Sequence, residues 1–98
     1  MIKVKIKDKT IIISGHANFD NYGKDIVCAA VSSIVTASVN DIHIVNPNAL
    51  DYSDDGDTIT IKIIKNDDLV LKLLNNLKQL LINLSEDYPK NIKVERED

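Results

Sequence analysis

An α+β fold in one small domain, with two helices packed on a largely antiparallel sheet in the order ββαββαβ, is what the apolar periodicity of this chain predicts. Two observations carry that prediction. Short segments near the start and the middle alternate apolar and polar residues with a period of two, as half-buried strands do, while two longer segments repeat apolar residues at helical spacing. The chain has 98 residues, enough for one core and too few for two independently stable ones.

Met1 to Lys9 sets Ile2, Val4 and Ile6 on one face and Lys3, Lys5 and Lys7 on the other, the pattern of a strand with one solvated face. Asp8-Lys9 is a short hairpin turn. Thr10 to Ser14 follows as a second strand, antiparallel to the first, whose Ile11-Ile12-Ile13 run predicts burial on both sides. Gly15 ends it, and the turn residues Asn18, Asp20, Asn21 and Gly23 make Ala17 to Lys24 a loop. From Asp25 to about Asn40 a helix is predicted by Ile26, Val27, Ala30, Val31, Ile34, Val35 and Ala37, with charges only at its ends. Ile42 to Val45 is expected as a strand, followed by Asn46-Pro47-Asn48 and the acidic segment Asp51 to Asp57 around the turn residue Gly56. Thr58 to Lys65 alternates again. Asp67-Asp68 opens a second helix to roughly Leu84, its carboxylates matched to the positive helix end and its stripe formed by Leu69, Leu73, Leu77, Leu80, Leu81 and Leu84. Tyr88-Pro89 stops it, and Ile92 and Val94 mark a last strand.

Bulk properties narrow the function. The formal charge of −3 and pI near 5.2 argue against nucleic-acid binding through a basic surface, which needs clustered cations to neutralise phosphates. The longest apolar runs fall short of the ~20 residues of a membrane span, and the N-terminus starts with a charged strand, so neither a membrane partner nor a secretory route is expected and the cytoplasm is the expected compartment. One cysteine excludes an intramolecular disulfide and a cysteine cluster for zinc, and no cofactor or metal is expected. The helix from Asp25 to Asn40 lacks charges along its length, which suits a buried helix or a subunit interface and points to a homodimer.

Cys28 and His16 carry the chemistry. Cys28 is expected in the first turn of the helix, where free backbone N–H groups and the helix dipole favour a thiolate and the same donors could hold an oxyanion. His16 stands where the second strand meets the loop, from which an imidazole reaches the helix start if the loop folds back. Such a pair is the minimum for nucleophilic acyl transfer. Asp25 caps the helix or orients His16, and Ser32, one turn beyond Cys28, assists the site or bonds back to a backbone carbonyl. His43 is a rival base, set in the expected strand. On residue types alone, a lone cysteine in an apolar helix is more often a core residue than a nucleophile.

Gly15-His16-Ala17, Gly23 and Asp25-Ile26-Val27-Cys28-Ala29-Ala30-Val31-Ser32 resemble the signature of the Prp family of bacterial ribosomal-processing cysteine proteases, and the element pattern is similar over the whole length. The resemblance implies a homodimeric endopeptidase that removes the short N-terminal extension of large-subunit ribosomal protein number twenty-seven, cutting after an aromatic residue near a small one. It implies Cys28 as nucleophile and His16 as general base, with Asp25 and Ser32 in support. The loop becomes a cover with Gly23 as hinge and Phe19 or Tyr22 touching the substrate, and the acidic segment can steer a basic extension. The alternative is a non-catalytic dimeric binding module for a ribosomal or assembly partner, with Cys28 inert. A thiol-redox enzyme ranks last, for want of a resolving cysteine.

Overall fold

The computed structural model describes residues 1–15 and 22–97, with 22–25 described only as part of a helix. The elements run β1 (Ile2–Ile6), β2 (Thr10–Ser14), α1 (Tyr22–Val45), β3 (Leu50–Asp54), β4 (Thr58–Ile63), α2 (Asp68–Asp87) and β5 (Ile92–Arg96). They form one five-stranded sheet in the order β3-β4-β2-β1-β5. All neighbouring pairs are antiparallel except β1 and β5, which run parallel because α2 returns the chain before β5 begins. The predicted class and the order ββαββαβ therefore hold.

Strand alternation builds the core. Ile2, Val4 and Ile6 of β1, Ile11 and Ile13 of β2, Ile59, Ile61 and Ile63 of β4 and Ile92 of β5 are all buried on one face of the sheet. Val27, Val31, Val35 and Ile42 of α1 and Val70, Leu74, Leu77 and Leu81 of α2 close that face, giving an aliphatic core. The opposite face carries Lys3, Lys5, Lys7 and Lys62, all exposed. Ile12 lies on that side, between Lys5 and Thr60 in register, and is half-buried. The expected two-sided burial of the Ile11-Ile12-Ile13 run is corrected accordingly: only one face has helices to cover it.

Two further expectations are corrected. Ile42 to Val45 is not a strand but the last turn of α1, because Ile42 continues the buried series Val31, Val35 and Val39 at helical spacing; four alternating residues fit either period. The helix stops where Pro47 disfavours the α conformation of Asn46, whose N–H still donates to Ile42 O at 2.9 Å. The expected strand is supplied by Leu50–Asp54 instead. The stripe of α2 is corrected in part: Leu77 and Leu81 are buried and Leu73 and Leu84 pack against the core as expected, but Leu69 and Leu80 are exposed and Val70 and Leu74 face the core in their place. A leucine-rich helix contains two overlapping stripes, and the sheet selects one. Asp67 is the N-cap, its carboxylate accepting from Leu69 N and Val70 N at 2.9 and 3.2 Å.

By length and composition Ile26–Val45 resembles a membrane span, contrary to the expectation from apolar runs. Its Val27, Val31, Val35 and Ile42 are nevertheless in the core against the sheet and α2, as in a core helix.

Candidate active site

Cys28 is the seventh residue of α1, at the end of the second turn, which corrects its expected place in the first. Cys28 thus lies beyond the first turn of α1, within which the effect of the helix dipole fades. Cys28 is 6% exposed and belongs to the core cluster with Val27 and Val31. Ser32, one turn on, is exposed. Cys28 therefore stands at the seam between the packed and open sides of α1, the core behind it and a polar flank beginning at Ser32.

His16 and Phe19, and the side chains of Tyr22, Gly23 and Asp25, lie outside the described residues. What is described is the point from which His16 departs. Gly15 ends β2 with φ +80°, a left-handed conformation that side chains disfavour, and a Cβ there would collide with the carbonyl oxygen of Met1. The sequence reading marked Gly15 as a strand end; its close approach to the first strand is visible only in the structure.

His43 is displaced from its expected strand into the last turn of α1, where it is exposed. Fifteen residues of straight helix separate it from Cys28, on the order of 22 Å at 1.5 Å per residue, too far for proton transfer within the subunit. Among the described residues no group of three or more His, Cys, Asp or Glu side chains could hold a metal ion.

Sequence reasoning missed the concave surface on the flank of α1. Ser32, Ser33, Thr36, Ala37 and Asn40 line a shallow depression of about 440 Å³. Thr36 and Asn40 also border a groove of about 500 Å³ between α1 and β3, completed by Val39, His43, Pro47, Leu50, Asp51 and Tyr52. Tyr52 is partly exposed there, and its phenol is held above the usual tyrosine value by burial, with a smaller push from the Asp54 carboxylate. The phenol is thus a neutral hydrogen-bonding group. The missed signal was readable: between Asp25 and Ile61 there is no lysine or arginine, and six aspartates.

The acidic segment has a structural task as well. Asp54 Oδ1 accepts from Gly56 N, and Asp55 Oδ1 accepts from Asp57 N and Thr58 N at 2.9 and 2.7 Å, closing the β3–β4 turn around Gly56 at φ +95°.

Residues 1–93 match the family model described as cysteine protease Prp. The ribosomal processing cysteine protease Prp of Staphylococcus aureus is 33% identical over 87 residues, covering 86% of this chain and 82% of the relative. The crystal structure of the essential S. aureus Prp in complex with a substrate peptide superposes with a TM-score of 0.90 at 29% identity, over 99% of this chain and 100% of the other. A second S. aureus Prp structure, with a covalently linked product peptide, gives 0.79 at 30% identity over the same shares.

Proposed function

This chain belongs to the Prp family of ribosomal-processing cysteine proteases, and from that premise we propose that it removes the short N-terminal extension of large-subunit ribosomal protein number twenty-seven, with Cys28 as nucleophile and His16 as general base. The observation that carries the reading is the family match across both Gly15-His16-Ala17 and the Cys28 segment, in a chain whose only cysteine is Cys28. His16 takes the thiol proton as Sγ attacks the carbonyl carbon of the scissile peptide. The same proton goes to the departing amine nitrogen as the C–N bond breaks, leaving the extension as a thioester on Cys28. His16 then takes a proton from water as its oxygen attacks the thioester carbonyl; the C–S bond breaks, the proton returns to Sγ, and the extension leaves as a carboxylic acid that ionises in solution. The covalently linked product peptide in the S. aureus relative is in keeping with such an intermediate.

Asp25 and Ser32 are proposed as supporting residues, and Phe19, Tyr22 and Gly23 as substrate-contacting residues; Tyr22 and Gly23 stand in the first turn of α1, which corrects their expected place in a loop and removes Gly23 as a loop hinge. The exposure of Ser32 at the depression on the open flank of α1 supports a contact with substrate beyond the nucleophile. The proposed assembly is a cytoplasmic homodimer joined through the exposed, uncharged stripe Ile26, Ser33, Ala37 and Ile44, which lies opposite the buried side of α1. The burial of Cys28 by itself would suit the inert binding module. Incubation of the extended ribosomal protein with wild type and Cys28→Ala separates the two: cleavage by the wild type alone is expected, and cleavage by neither sinks the protease assignment to this substrate.

A further inference from the structure

We propose that the groove between the C-terminal half of α1 and the free edge of β3 holds an extended, lysine- or arginine-bearing segment of the substrate polypeptide, lying beside β3 and leading towards Cys28. The identity of the occupant rests on the protease reading above; the existence of a docking groove for a basic strand does not.

Three features converge. First, among the described residues β3 is an edge strand, joined to β4 alone in the sheet order. Asp55 N donates to Thr58 O and Ile64 N to Ala49 O, so in the antiparallel alternation residues 49, 51, 53 and 55 turn their backbone groups to β4. The N–H and C=O groups of Leu50, Tyr52 and Asp54 therefore point outward, a template for an added strand. Secondly, Leu50, Tyr52 and Asp54 share the helix-side face, as shown by their partners Ile63, Ile61 and Ile59. Alternate side chains of an added strand would drop into the groove against Val39, Leu50 and Tyr52, with His43 at its rim; Asp51 borders the groove at the strand edge and is paired in register with Lys62 on the other face of the sheet.

Thirdly, the charge selects the occupant. Asp25, Asp41, Asp51, Asp54, Asp55 and Asp57 are the only formal charges in the stretch from Asp25 to Ile61. The negative end of the α1 dipole adds to them. The ion pairs Lys7–Glu97 and Lys93–Glu95 sit at the other edge, on β1 and β5. A second copy pairing β3 against β3 would set one acidic strand against another, which like charges oppose. A cationic strand gains where a second copy loses.

Helix geometry ties the groove to the nucleophile. Cys28, Ser32, Val39 and His43 stand at i, i+4, i+11 and i+15, one flank of α1, and the depression lined by Ser32 and Thr36 joins the groove at Thr36 and Asn40. Cys28 to Asn40 is about 18 Å along the helix, which an extended peptide crosses in about five or six residues. The cations recognised are thus at least about five residues from the scissile bond.

The test uses two peptides with the same cleavage residues, one continuing into three lysines five to eight residues beyond them and one into serines, with the lysines placed on either side in turn. For the wild type, kcat/KM is expected to favour one lysine peptide by about tenfold, through KM, and the advantage should shrink at 0.5 M NaCl. In Asp51→Asn/Asp54→Asn, where the amide oxygen keeps the acceptor of the turn, the ratio should fall towards one; Tyr52→Ala should lower it as well. A ratio unchanged in these folded variants overturns the docking groove and leaves the protease intact. If the wild type cleaves neither peptide, fluorescence anisotropy of the lysine peptide on Cys28→Ala decides: binding weakened severalfold by the Asp51/Asp54 variant sustains the groove, and no binding overturns it. Loss of self-association in the same variants would assign the groove to a second copy and also overturn the inference.

Discussion

At Cys28 the demands of packing and chemistry meet in one side chain: 6% exposed, with the core behind it and the open flank of α1 starting one turn away. Cys28→Ser is expected to abolish processing with little change in melting temperature, since the hydroxyl is nearly isosteric but far harder to deprotonate; turnover retained by the serine variant would remove Cys28 as nucleophile. His16→Ala should lower kcat by about 10²–10⁴-fold and shift the alkylation of Cys28 to higher pH. An unchanged alkylation profile would exclude His16 as the group that holds the thiolate. Gly15 follows β2 directly and precedes His16 in the chain. Gly15→Ala adds a left-handed non-glycine residue and a collision with Met1 O, and should destabilise by at least about 1–3 kcal/mol in a denaturant titration. Tyr52 sets an alkaline limit. Its raised value means that the folded state keeps the phenol proton longer than the unfolded chain, so the stability it contributes is full below about 10.0 and is lost as pH rises through the folded value. Tyr52→Phe should therefore unfold less readily in base than the wild type, relative to each protein at neutral pH.

Among the elements, α2 is the brace of the β1–β2 hairpin. Lys78, 7% exposed, reaches from the helix to donate from Nζ to Asp8 O at 2.8 Å, and Lys9 Nζ donates to Asn66 Oδ1 just ahead of α2. Lys78→Met keeps the volume of the stem and removes the donor. Chemical denaturation should show a loss of about 1–3 kcal/mol, the range for a part-buried hydrogen bond from a charged donor; no loss would mean that the stem alone matters. Ends and periods of the elements were legible to different degrees. β1, β4 and β5 are where alternation placed them, because each has one face on the core and one in solvent. α1 was read five residues short at its C-terminal end, because Ile42 to Val45 satisfies both periods, and β3 was missed because Asp51, Ser53 and Asp54 are poor strand formers. Charge on an edge strand is an asset all the same, since it discourages pairing with other sheets.

For the whole molecule, one helix-covered sheet face and one lysine-lined face leave the outer side of α1 as the uncharged exposed surface. The proposed homodimer predicts that Ala37→Lys weakens association at micromolar concentration in sedimentation while the subunit stays folded. Val35→Lys, at a site 1% exposed, should fail to fold. A wild-type monomer at that concentration would end the proposal. By itself the sequence determined the fold class, the order of the elements, the aliphatic core and the Cys28 and His16 candidates, because period-two and helical repeats are local patterns and a single cysteine needs no neighbours to be noticed. The tertiary structure alone decided that Cys28 lies two turns into α1 at the edge of the core, that His43 is about 22 Å along the helix from it, and that β3 forms an acidic edge beside a groove. These depend on which residues from distant parts of the chain meet, and a groove lined by both Asn40 and Tyr52 exists only once α1 is laid on the sheet.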